Sequence, residues 1–120
     1  PLFAARIAQV EIDLMAMATT NLRLISAAAA GEAPGPESSM LKVKGTLIRQ
    51  EITSLLRRAM GPDALPFLPE YLDGNDAVAA VGSEHAPTAA PCYFNMRKLS
   101  IFGGSNEIQR TIITKAILGL

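Results

Sequence analysis

From Leu2 to about Ala30, apolar side chains recur at Phe3, Ile7, Val10, Leu14, Met17, Leu22 and Ile25. On a helix this spacing keeps one stripe facing a core, while Arg6, Gln9, Asp13 and Arg23 fall largely off it. The pattern predicts a long amphipathic helix. Its end is written into the stretch GEAPGP, Gly31 to Pro36, which cannot continue helical geometry.

A second helix is expected to begin near Glu37, where a carboxylate suits the positive end of the helix dipole. It should run through Leu41, Ile48, Ile52 and Leu55 to Met60, and Gly61-Pro62 ends it. Gly45 shares a face with Leu41 one turn earlier, so a neighbouring helix can approach closely there. Arg57 and Arg58 occupy the last turn, where positive charge is favoured.

Between Pro62 and Ser100 no periodicity is sustained, and prolines at 62, 66, 69, 87 and 91 argue against a long regular element. The expectation is a long loop before the last helix. Asp63, Glu70, Asp73, Asp76 and Glu84 give its first part an acidic character, read as a solvated face. A third helix is expected from Asn106 to Leu118, with Ser105 as N-cap and Gly119 beyond its end. Ile108, Ile112, Ile113 and Ile117 would form its buried stripe.

Hydrophobic residues make up 49% of the 120 and aromatics only 5%, with alanine abundant and tryptophan absent. That balance favours closely packed helices over aromatic-rich strands, so the expected fold class is an all-α helical bundle, with so long a loop suggesting a missing neighbour. Eleven basic and eleven acidic residues leave no net charge to attract nucleic acid or an anionic membrane. The opening residues are interrupted by Arg6, Glu11 and Asp13, unlike a signal peptide or membrane span. Cys92 stands alone, which is compatible with a reducing, cytoplasmic or organelle-matrix setting. His85 lacks the ligand cluster a metal site requires, so no metal is expected.

One segment carries the possibility of chemistry. Gly103-Gly104-Ser105 opens a helix, and glycines let the backbone approach a ligand while the unpaired amides of a first helical turn attract anions. Spacing alone does not name a reaction.

The run Gly103-Gly104-Ser105-Asn106-Glu107-Ile108-Gln109-Arg110, followed by Ile112, Ile113 and Leu118-Gly119-Leu120, resembles the GGTNEIQR-type signature near the end of acyl-CoA dehydrogenases. Ala33 to Gly45, and Arg97-Lys98-Leu99, are similar to the large-subunit dicarboxylyl, or pimeloyl-type, branch. The resemblance implies FAD as cofactor, an acyl-CoA oxidised to its trans-2-enoyl product, and an electron-transfer flavoprotein or similar acceptor as partner. It also implies an oligomer whose complete subunit has an amino-terminal helical domain and a central β-domain, with residues 1–120 as part of the carboxyl-terminal four-helix domain.

On the same resemblance, Ser105, Asn106, Glu107 and Gln109 are expected to contact FAD, and Phe102, Gly104 and Lys115 the acyl-CoA. Gly103 occupies the position where many members carry the catalytic glutamate. Glycine cannot abstract a proton, so the base would lie on an earlier helix of the complete subunit. Glu107, one turn on, is a weaker candidate because it matches a flavin-contacting position. The family's glutamine and paired glycines, used against a neighbouring subunit's flavin, are also missing around Arg58 to Pro62. The alternative implied by Gly103 is a helical assembly subunit without catalysis.

Overall fold

The computed structural model describes residues 1–33, 35–75 and 77–120. Pro34 of the first helix stop and Asp76 of the acidic run lie outside the described residues. Five α-helices are present among the described residues: α1 (Leu2–Ala29), α2 (Glu37–Met60), α3 (Pro69–Leu72), α4 (Ala86–Asn95) and α5 (Asn106–Leu118). Short 3-10 segments occupy Gly61–Ala64 and Met96–Ser100. The fold class is the all-α one expected.

The chain divides into two compact units. In the first, residues 1–49 and 98–120, α1 ends in a Schellman arrangement: Glu32 donates its amide to the Ala27 carbonyl and Gly31 to that of Ala28, both at 3.0 Å. The two long helices touch where the sequence lacks a side chain. A β-carbon on Gly45 would stand 3.1 Å from the Met17 methyl, so this glycine marks a close approach. Lys44 and Asp13 pair at 2.7 Å beside that contact. Val10 and Ile48 are buried, but Leu2, Ile12, Met15, Leu22 and Ile25 are each more than half exposed.

The buried stripe expected on α5 is corrected. Ile108, Ile112 and Ile117 are 56%, 45% and 65% exposed, and only Ile113 is partly covered. Periodicity identifies residues that share a face; it does not supply what covers that face.

The second unit spans residues 50–97. Here the expected uninterrupted loop is also corrected, because α4 forms despite Pro87 and Pro91. Pro87 lies in the first turn, where a missing N–H removes no intrahelical bond. Pro91 lies inside the helix and forfeits one. Burial outweighs that loss: α4 packs against Gly61–Ala64 and α3, with Ala64, Ala86 and Ala89 at 0% exposure and Pro87 fully buried. The connection before α4 is held by the Tyr71 hydroxyl, which donates to the Glu84 carbonyl at 3.0 Å. Arg57 and Arg97 place their guanidinium carbons 4.9 and 4.4 Å from the Tyr93 ring centroid. Gln50 donates to the carbonyls of Met96 and Arg97, both at 3.3 Å, while Arg97 donates back to the Gln50 carbonyl at 2.9 Å.

Candidate flavin-site turn

The turn before α5 is built from local chemistry. The amides of Ile101 and Phe102 both donate to the Lys98 carbonyl, at 2.9 and 3.1 Å, and fold the chain out of the 3-10 segment. Gly103 and Gly104 then adopt φ of 68° and 81°, a left-handed pair that side-chain-bearing residues rarely adopt. Ser105 is extended, and its hydroxyl accepts from the Ile108 amide at 3.3 Å, capping α5 as expected. Gln109 reaches back to donate to the Gly103 carbonyl at 3.3 Å. It can do so because Gly104 has no β-carbon, which would stand 2.6 Å from Gln109 Nε2.

This small frame brings Phe102, Gly104, Ser105, Asn106, Glu107 and Gln109 together. Phe102, Gly104 and Glu107 are exposed, while Ser105 and Gln109 are partly covered. Asn106 is buried, at 5% exposure, and its side-chain oxygen accepts from Lys42 Nζ at 2.8 Å. Lys115 is not with the others. It is exposed near the far end of α5, roughly 15 Å along the axis from Ser105 at about 1.5 Å per residue.

Glu107 is held below the usual carboxylate range, first by its own backbone amide and then by the Ser105 hydroxyl; burial opposes them, and the charges of Arg110 and Lys42 add lesser attraction. A carboxylate stabilised in its charged form is a poor proton acceptor, which counts against Glu107 as a substitute base. At Gly103 there is no side chain to act.

Sequence reasoning missed Lys42. Its Nζ donates to Asn106 and also to the Leu99 carbonyl at 3.2 Å, and Thr46 Oγ1 lies 3.3 Å from that same carbonyl. No local signal could have found it: Lys42 and Thr46, four apart on α2, share a helical face that reads as solvated, and their shared partner Leu99 is distant in sequence. Among the described residues, no cluster of three or more histidines, cysteines or carboxylates is placed to hold a metal, and no helix is long and apolar enough to cross a membrane. Cys92 is a free, partly covered thiol.

No curated protein and no solved structure matches the chain. The family model described as "Acyl-CoA dehydrogenase, C-terminal domain" matches residues 1–118. With a match of that extent, the chain belongs to the acyl-CoA dehydrogenase family, in which it represents the carboxyl-terminal domain.

Proposed function

We propose that this chain is part of an FAD-dependent acyl-CoA dehydrogenase of the pimeloyl-type large-subunit branch, which oxidises an acyl-CoA to its trans-2-enoyl-CoA. The observation that carries the reading is the solvent-facing Phe102–Ser105 turn, held open by paired positive-φ glycines at the start of α5 in a chain of this family. An amino-terminal helical domain and a central β-domain would complete the subunit, within an oligomer in a cytoplasmic setting.

The residues present fit one edge of a flavin contact. Gly103 and Gly104 leave room for close approach of a ring or phosphate, since no β-carbon stands in the way. Ser105, Glu107 and Gln109 would meet the cofactor with side chains, and Asn106 would meet it with backbone, because its side-chain oxygen already accepts from Lys42. Phe102 and Gly104 would border the acyl thioester, and Lys115 would meet a more distant part of the acyl-CoA. When bound, FAD supplies the hydride acceptor, and the electrons would pass to an electron-transfer flavoprotein or similar acceptor. The role of these residues would be to position the bound groups. The proton acceptor is assigned to an earlier helix of the complete subunit.

The test is to purify the full-length protein, record its flavin absorbance, and add pimeloyl-CoA, butyryl-CoA or palmitoyl-CoA anaerobically. Copurified flavin bleached by an acyl-CoA, with pimeloyl-CoA preferred, supports the reading. Absence of both flavin and bleaching would sink it.

Gly103 favours one second reading, a helical assembly subunit that keeps the family's contacts without catalysis. It predicts a full-length protein that joins an oligomer but exchanges no α-proton of an acyl-CoA with solvent.

A further inference from the structure

The segment from Leu99 to Asn106 contains the whole exposed turn, and both of its ends meet one ammonium group. Lys42 Nζ donates to the Leu99 carbonyl at 3.2 Å and to Asn106 Oδ1 at 2.8 Å. Thr46 Oγ1 reinforces the first end, at 3.3 Å from the Leu99 carbonyl and 2.9 Å from the Lys42 carbonyl. The second end is buried, with Asn106 only 5% exposed. A buried amide oxygen without a donor is costly, and a charge-assisted bond is about twice as strong as a neutral one. Between these anchors, the Gln109 to Gly103 bond and the Ser105 cap fix only local shape. They do not attach the turn to another helix.

We infer that Lys42 is a positioning residue for the flavin-site turn: its ammonium clamps Leu99 and Asn106 to α2 and thereby sets where Phe102 to Ser105 is presented. The consequence for cofactor binding rests on the flavin reading proposed above. The clamp itself does not. Lys42 touches no proposed ligand, so its effect passes through the turn, with its charge also helping to keep Glu107 ionised. Without the clamp, the turn samples positions in which its glycines and Ser105 no longer face the cofactor together, and binding includes the entropy of ordering it again.

The experiment compares wild type, Lys42→Met, Lys42→Arg and the double variant Lys42→Met/Asn106→Leu in the full-length protein. Two readouts are taken: hydrogen–deuterium exchange of the peptides covering 99–109, and FAD affinity by titration of the apoprotein. Loss of the clamp is expected to speed exchange in 99–109 by about tenfold, with α1 and α4 peptides unchanged, and to weaken FAD binding by a similar factor. Lys42→Arg, which retains a cationic donor, is expected to restore protection. The double variant removes the amide that Lys42→Met alone would leave orphaned, so it is expected to lose less stability than Lys42→Met while showing the same loosened turn. Unchanged exchange in 99–109, exchange raised equally throughout the chain, or a Lys42→Arg protein as loose as Lys42→Met would each overturn the clamp. Faster exchange of the turn in a protein whose wild type binds no FAD would uphold the clamp and remove the flavin reading instead.

Discussion

The Met17 methyl lies 3.1 Å from the point where a β-carbon on Gly45 would stand, making this pair a point of close approach between α1 and α2. The contacting atom is the far end of a flexible side chain, which can shift by a few tenths of an ångström. Glycine inside a helix is less favourable than alanine by roughly 0.5–1 kcal/mol. Gly45→Ala is therefore expected to leave stability unchanged or raise it within that range, whereas Gly45→Leu, which no small shift accommodates, should lower it by about 1–3 kcal/mol. Chemical denaturation measures both. A Gly45→Leu protein as stable as wild type would remove the close approach.

The two prolines of α4 are expected to respond in opposite directions. Pro87 is fully buried in the first turn, where no N–H is missed, so Pro87→Ala removes packing and should cost about 1.5 kcal/mol for two buried methylenes. Pro91 interrupts the helix from within and borders an open apolar groove with Leu65, Phe67 and Phe94. An interior proline disfavours a helix by about 3 kcal/mol, partly offset by its stiffening of the unfolded chain. Pro91→Ala is expected to raise the unfolding midpoint. Equal losses from both substitutions would contradict this account of α4.

That helix also shows where the sequence was legible. The boundaries of α1, α2 and α5 could be read because each joins a 3.6-residue apolar pattern to a strong stop or cap: the glycine-proline run after Ala30, Gly61-Pro62, and Ser105 with Gly119. α4 could not, since its signal is two prolines and several alanines, and its stability comes from burial against Gly61–Ala64. The turn at Gly103 was visible in the same local way. Lys42 was not, because its partners Leu99 and Asn106 lie more than fifty residues away in sequence. Local propensity carries no information about a contact of that range.

Gly104 is expected to tolerate no side chain. Its φ of 81° is strained for alanine by about 1–3 kcal/mol, and the added carbon would also displace the Gln109 amide from the Gly103 carbonyl. Gly104→Ala should therefore lower stability by that amount and weaken FAD retention, while Gln109→Ala should affect retention with a smaller loss of stability. Thermal unfolding and flavin content after gel filtration separate the two. A Gly104→Ala protein matching wild type in both would rule out a required left-handed turn.

The Asp13–Lys44 pair gives the α1–α2 contact a pH dependence whose sign is fixed. The Lys44 hydrogen bond is the largest influence holding Asp13 below its ordinary value of 3.8; burial opposes it, and Gln9 and the Lys44 charge assist. A carboxylate with a lower pKa folded than unfolded binds fewer protons in the folded state, so stability increases with pH through that interval. The contribution is complete above the unfolded value and is lost as pH falls from about 3.8 through the lower folded value. Glu107 acts in the same direction, beginning from its ordinary 4.5. The unfolding midpoint of wild type is thus expected to fall on acidification below about pH 4.5, with Glu107→Gln flattening the decline that starts there and continues through its lower folded value, and Asp13→Asn flattening the part that starts near 3.8. Because Asp13 and Lys44 are both partly open to solvent, added salt should reduce the Asp13 effect. An Asp13→Asn profile as steep as that of wild type below pH 3.8 would show that the pair contributes nothing to the coupling of these helices.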